Sequence, residues 1–130
     1  MNFPFRSKVP QSLAPQQAVD QLLDELPAVW FMGVTECATG ELVAGHAPGG
    51  FVPAAQAARY HAELVRFQQQ VLVQGEQQTP GEFSLTITTQ WHLVRVVDQG
   101  RRLLSLIVDT RSVGLGQARA ALNRAAALLA

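Results

Sequence analysis

The segment Ser112-Val-Gly-Leu-Gly-Gln-Ala-Arg119 has the composition of a phosphate-binding loop, because its two glycines stand between an apolar run and an alanine-rich run. A dinucleotide-binding fingerprint places a third small residue three positions after the second glycine, where the helix packs closely on the strand. Arg119 occupies that position here, and the P-loop lysine is missing, since the only lysine is Lys8. We therefore predict that Gly114 and Gly116 allow a tight turn between a strand and a helix and bind no nucleotide.

Three histidines and one cysteine are the side chains best suited to bind a metal or to act as a nucleophile or base. His46, His61 and His92 fall on three separate predicted elements, and none has a second ligand residue four positions away. Cys37 lies in a predicted hairpin turn with no evident base to activate its thiol. Asp109, at a strand end, is predicted to cap the last helix and not to act as a general base. We predict no catalytic, cofactor-binding or metal-binding residue, and no cofactor.

The composition predicts one domain and excludes several classes of partner. The chain has 130 residues, a formal net charge of zero, 48% hydrophobic residues and 15% charged residues. The arginines are scattered, without the basic stripe of a nucleic-acid-binding protein. One cysteine excludes an internal disulfide, and no apolar run is long enough to span a membrane, so we expect a cytoplasmic location. We predict a loose arm over 1–11 and a single domain over 12–130.

The pattern of apolar residues, prolines and glycines predicts an α-β-β-α-β-β-β-α order of elements. Pro27 ends the first helix, and Gly40 allows a positive φ in the first hairpin. The sequence thus predicts an α+β fold with a five-stranded, mainly antiparallel sheet. The predicted elements are a helix from Ser12 or Ala14 to Leu26, strands over 28–35 and 42–46, a helix over 53–74, a polar loop over 75–81, strands over 83–89, 91–97 and 102–109, and a helix from about 112 to 130.

The long helix over 53–74 carries more apolar surface than one stripe against its own sheet requires. One set of residues along it includes Ala57, Ala58 and His61, and a second set consists of Tyr60, Leu64, Phe67 and Val71. On the third strand Phe83, Leu85 and Ile87 share one face, with Ser84, Thr86 and Thr88 on the other. The breadth of the helix surface predicts that it packs on its own sheet and also on a second surface.

Three segments resemble the roadblock/LC7 family, which includes dynein light chains and bacterial partners of Ras-like GTPases. The hairpin Val29-Trp-Phe-Met-Gly-Val-Thr-Glu-Cys-Ala-Thr-Gly-Glu-Leu-Val-Ala-Gly45 is similar to the family's opening hairpin. The strands Leu93–Val97 and Arg102–Asp109 look like its last two strands, and the glycines of 112–119 stand where the family begins its C-terminal helix. The order of elements over about 14–130 also matches the family, which is itself similar to profilin-like folds.

The resemblance implies a homodimer in which the central helices pack together and the third strands can pair across the dimer. It implies a protein that is not an enzyme and that scaffolds or regulates a small Ras-like GTPase, in some members by promoting nucleotide hydrolysis. The expected interface residues are Tyr60, Leu64, Phe67, Val71, Phe83, Leu85 and Ile87.

Two further residues are candidate contacts with such a partner: Trp91, which begins a strand, and Arg95, on the same strand. The alternative is a sensory domain of the PAS or profilin-like kind, which would need a pocket between the sheet and its helices.

Overall fold

A computed structural model describes residues 13–74 and 82–129, apart from the side chains of 71–74. The arm predicted over 1–11 and the loop predicted over 75–81 lie outside the described residues. The predicted order of elements is confirmed. The helices are α1 (Ala14–Glu25), α2 (Ala54–Gln74) and α3 (Leu115–Ala126); the strands are β1 (Phe31–Glu36), β2 (Leu42–His46), β3 (Glu82–Ile87), β4 (Gln90–Val97) and β5 (Arg102–Asp109); single 3-10 turns cover Pro48–Gly50, Asp98–Gly100 and Ala127–Leu129.

The five strands form one sheet in the order β2-β1-β5-β4-β3, and every neighbouring pair is antiparallel. The last strand, β5, therefore lies at the centre, and β2 and β3 form the two edges. The α+β fold and the antiparallel sheet predicted from the sequence are confirmed.

Two helices cover one face of the sheet, and one helix packs on the other face. On the first face α1 lies over β1 and β2, while α3 lies over β4 and β5 and also contacts α1. Their apolar side chains form the main core together with Met32, Val34, Leu93, Leu104 and Leu106. On the second face α2 lies over β1 and β2 and reaches β5 and β4 through its side chains.

The α2 face holds two smaller clusters of buried residues. Ala62 and Val65 of α2 pack on Val94 and Leu103, and Ala57 packs on Phe31 and Ile107. Alanines on the inner side of α2 allow the helix to approach the sheet closely, so that Ala57, Ala58 and Ala62 are all buried. Ser105 lies opposite Gly33 on the neighbouring strand, and both small residues lie beneath α2.

The turn before α3 differs from the sequence prediction in one respect. Asp109 does not cap the helix: its carboxylate accepts hydrogen bonds from the backbone N–H and the guanidinium of Arg111. Its backbone carbonyl accepts from the N–H groups of Ser112 and Val113, and Gly114 occupies the N-cap position. The predicted capping role of Asp109 is therefore wrong. Its carboxylate accepts hydrogen bonds within the turn that precedes α3, and the helix begins after Gly114 with no side-chain cap.

Gly40 occupies the left-handed region, with φ at +76°, as the sequence predicts. A Cβ at this position would stand 3.1 Å from Cγ and 3.3 Å from Cα of Arg59 on α2. The hairpin turn thus needs glycine both for its backbone and because α2 is packed directly on it.

We expect Gly40→Ala to lower the free energy of unfolding by about 2–5 kcal/mol, the sum of left-handed strain and overpacking against α2. Gly100→Ala is the matched control, since Gly100 also has a positive φ, of +90°, but has open space around it. That variant should lose only about 1–2 kcal/mol. Urea unfolding of both variants measures the difference, and equal losses would show that α2 does not press on the hairpin.

Candidate protein-interaction surface

The outer flank of α2 leaves large apolar side chains exposed. Phe67 is 66% exposed and Tyr60 39% exposed, and Leu64, which lies between them on the same helical face, is half-buried. This spacing of three and four residues places the three side chains in one row along the helix. The fourth residue predicted for this row, Val71, lies outside the described side chains.

The edge strand β3 continues this apolar surface. Phe83 and Leu85 are half-buried and Ile87 is 38% exposed, and all three point to the α2 face. On the opposite face of β3 the side chains of Ser84 and Thr86 are polar and exposed. The alternation shows that only one face of this strand is built for burial.

We call the six described residues Tyr60, Leu64, Phe67, Phe83, Leu85 and Ile87 the α2–β3 surface. The two sides meet at His92 of β4, which lies across the strands from Leu85 and whose ring centroid is 5.9 Å from that of Tyr60. The surface exists because a single helix does not cover five strands. The structure places six of the seven predicted interface residues along one flank.

A chain of hydrogen bonds lies directly beneath the α2–β3 surface. His61 of α2 joins Ser105 of β5 through Nδ1 at 2.7 Å, and joins Nδ1 of His92 through Nε2 at 3.0 Å. His92 in turn contacts Oε1 of Gln90 through Nε2 at 2.9 Å. The side chains of Ser105, His61 and His92 are all buried. The hydrogen-bond chain therefore ties α2 to β5 and β4, in addition to the apolar contacts of α2 with Val94 and Leu103.

The direction of this chain follows from its last acceptor. A carboxamide oxygen only accepts, so His92 carries its hydrogen on Nε2 and, as a neutral ring, accepts at Nδ1. His61 must then donate from Nε2 and accept at Nδ1, and the hydroxyl of Ser105 is its donor. Every polar atom of the chain is used once when both imidazoles are neutral.

Burial lowers the pKa of both histidines, because the imidazolium form loses its hydration inside the protein. The pKa of His61 falls to about 3, mainly through desolvation and further through the neighbouring His92. Desolvation also lowers the pKa of His92. Both rings are thus held neutral near pH 7, as the hydrogen-bond pattern requires.

The residue types of this chain resemble a nucleophilic relay, but its geometry does not support catalysis. A serine nucleophile needs access to its substrate and donors for the developing oxyanion. Ser105 is completely buried beneath α2, between Gly33 and Val94 on the flanking strands. The chain is consequently a structural polar network in the α2–sheet contact.

The remaining candidate residues lie apart from the α2–β3 surface. Trp91 is half-buried against the main core on the opposite sheet face, and Arg95 on that same face donates to Oδ1 of Asn123 on α3.

His46 lies at the end of β2, and within 13–74 and 82–129 no three histidine, cysteine or acidic residues are grouped as metal ligands. Cys37 is buried, which raises the pKa of its thiol. None of the helices in the described ranges is long and apolar enough to cross a membrane.

The sequence pattern did not predict the hydrogen-bond chain. The helical period already placed His61 among the inner residues of α2, and strand alternation places His92 on the same face as Val94. His61 and His92 are 31 residues apart in the sequence, and no local pattern indicates that they meet. Ser105 is a single polar residue within an apolar strand, which does not indicate a partner.

The histidine chain predicts that the protein loses stability in mild acid. An imidazole whose pKa is lowered on folding stabilises the folded state fully above its unfolded pKa of about 6.5, and this contribution is lost as the pH falls toward the folded pKa. For His61 alone the loss between pH 7.5 and pH 5 is about 2 kcal/mol. His92 adds to the loss in the same direction.

Urea unfolding at pH 7.5 and pH 5 measures this loss. Asp109 and Glu25, whose pKa values are lowered by hydrogen bonds from Arg111 and Arg124, keep their charge at pH 5 and contribute mainly below it. The His46→Gln variant should lose as much stability as the wild type. A wild-type protein equally stable at both pH values would contradict the assigned burial of His61.

This protein is similar to known proteins in its structure. No protein-family model matches the sequence, and no curated protein sequence matches it. Among solved structures, Myxococcus xanthus MglB superposes with a TM-score of 0.79 at 15% identity, over 93% of this chain and 88% of that one. An MglB in a tetrameric arrangement gives 0.71 at 18% identity, over 89% and 87% of the two chains.

A roadblock/LC7 domain from Streptomyces avermitilis gives a TM-score of 0.69 at 12% identity, over 85% of this chain and 90% of that one. These likenesses extend over most of each chain. The resemblance drawn from the sequence is confirmed in the structure: this chain has the fold of the roadblock/LC7 domains and of MglB.

Proposed function

We propose that this chain is a non-enzymatic homodimeric scaffold that regulates a small Ras-like GTPase. The observation that carries the proposal is the α2–β3 surface, which leaves Phe67 66% exposed beside an edge strand whose apolar side chains face the same way. A second copy of the chain is its proposed occupant.

The shape of the molecule supports a two-fold dimer. In such a dimer the same patch meets itself, so a convex helix must lie beside a shallow region on the same surface. Here α2 is the helix, and the α2 face of β3 and β4 beside it is the shallow region. Two copies placed side by side would give the face two helices, matching the two helices on the other face. The third strands could then also pair edge to edge, as the sequence resemblance implies.

The GTPase partner is supported by the fold and by the resemblance of the sequence to the roadblock/LC7 family. This chain has the fold of MglB, and one of the similar MglB structures has a tetrameric arrangement. That arrangement is consistent with association between copies of this fold. We propose that regulation works by ordering the loops of the GTPase; the alternative is an arginine supplied in trans. Arg95 and Trp91 remain the proposed contacts with this partner, on the sheet face opposite α2.

The alternative of a ligand-binding sensory domain has less support. The layer between α2 and the sheet is filled by Ala58, His61, Ala62 and Val65, all of them buried. A groove of about 490 Å³ lies elsewhere, between the end of β4 and the C-terminal part of α3, and includes Arg95 and Asn123. It opens widely to solvent, unlike the enclosed apolar pockets that bind small molecules.

The dimer is tested by placing a charge in the centre of the α2–β3 surface. We expect Phe67→Asp to be a folded monomer, since a carboxylate there would be desolvated by a second copy. Leu128→Asp is the matched control, because Leu128 is 39% exposed and follows α3, far from α2. Sedimentation velocity should show a dimer for the wild type and the control. A Phe67→Asp protein with the wild-type mass would refute this interface.

The GTPase is tested by capture from a lysate of the source organism, with the tagged protein as bait. The lysate is supplied with GDP in one arm and with a non-hydrolysable GTP analogue in the other. Enrichment of a Ras-like GTPase in either arm supports the proposal and gives the nucleotide state that is recognised. Absence of any GTPase from both arms, with folded dimeric bait, would contradict it.

A further inference from the structure

Tyr60 and Leu85 of the proposed dimer surface lie next to the buried histidine chain. The ring of Tyr60 packs against both imidazoles, with centroid distances of 5.8 Å to His61 and 5.9 Å to His92. Leu85 lies across the strands from His92, on the exposed edge of the sheet. Both side chains are neighbours of His92 and belong to the α2–β3 surface, so a second copy on that surface would cover them.

The hydrogen-bond chain can accept one proton while both imidazoles keep their hydrogen-bond partners. A proton added to Nδ1 of His92 turns that atom from an acceptor into a donor. In the protonated state Nε2 of the neutral His61 accepts the hydrogen bond from Nδ1 of His92, and the single hydrogen of the His61 ring lies on Nδ1, from which it donates to the oxygen of Ser105. Both imidazoles keep their partners, and the charge rests on His92, the outer of the two rings. The hydroxyl of Ser105 loses its acceptor in this arrangement.

We propose that the Ser105–His61–His92–Gln90 chain is a proton-sensitive element that weakens self-association through the α2–β3 surface when His92 becomes charged. The inference rests on the proposed dimer. A second copy would remove water from the neighbourhood of His92 and so disfavour the imidazolium. By linkage, protons must then favour the separated chains.

The groups around His92 support this direction. Gln90 of its own strand, His61 and Tyr60 of α2 and Leu85 of β3 surround it, and Ser105 of β5 and Phe31 of β1 contact His61. Tyr60 and the two imidazoles are the titratable groups in this set. Within the described residues no carboxylate forms a hydrogen bond or an ion pair with either ring; Asp109, opposite Gln90 on the same sheet face, is paired with Arg111. The Tyr60 contact exists in both the single copy and the dimer, so it does not alter their difference.

The test is the dimer dissociation constant at pH 7.5, 6.5 and 5.5 and constant ionic strength, measured by sedimentation equilibrium of the full chain. The wild-type Kd should rise as the pH falls from 7.5 to 5.5, and each of the two His92 rings per dimer can contribute at most about tenfold per pH unit. His92→Gln keeps an acceptor for the N–H of His61 and does not titrate, so its Kd should change less than about threefold by the same linkage. His46→Gln should follow the wild type.

A direct measurement complements the variants. ¹⁵N spectra of the histidine rings follow each pKa and tautomer at protein concentrations above and below Kd, and the pKa of His92 should be lower in the dimer. This readout also serves if His92→Gln does not fold. A dimeric wild type whose Kd is independent of pH, or an equal His92 pKa at both concentrations, overturns this inference alone. A wild type that is monomeric at pH 7.5 overturns the proposed dimer and the inference together.

Discussion

The two faces of the sheet are covered unequally, by two helices on one side and by one helix on the other. Helices α1 and α3 lie side by side on one face and cover all the strands except the edge strand β3, whose side chains there are polar. On the other face α2 lies alone, over β1 and β2. Because burial of apolar area stabilises a protein by roughly 25 cal/mol per Å², covering the exposed flank with a partner would favour association.

The manner in which α2 is held explains why it stays on one side of its face. Alanines let it pack closely on the strands beneath, but alanines alone specify no position along the sheet. His61 supplies that position, since its two ring nitrogens must reach Ser105 on one strand and His92 on the next. A buried polar chain contributes little net stability when it is complete, and a displaced helix would leave several of its members without partners. The histidine chain thus fixes the register of α2, and through it the width of the flank that remains open.

Most of the fold could be predicted from the sequence, because local signals and global architecture agree in this chain. The period of α1 and α2, the alternation of β3 and the glycine at position 40 each indicated the element that the structure has. Hydrogen bonds between distant elements could not be predicted in this way. Asp109 was expected to cap a helix because caps and turns use the same residue types, and only the position of Gly114 decides between them. The residues of the candidate surface could be predicted, since one helix alone shows more apolar residues than its own sheet can cover. The hydrogen-bond chain beneath the surface could not, because it depends on how α2, β4 and β5 are aligned with one another.

Tyr60 links the exposed α2–β3 surface to the buried histidine chain. It is 39% exposed on the outer flank of α2, and its ring also packs on the buried histidines. A residue with only one of these roles could change without affecting the other part of the molecule. Here the side chain that limits water access to His92 is the side chain that a second copy would contact. The exposed surface and the buried polar chain therefore cannot vary independently, and any partner that binds this flank alters the solvation of the histidines beneath it.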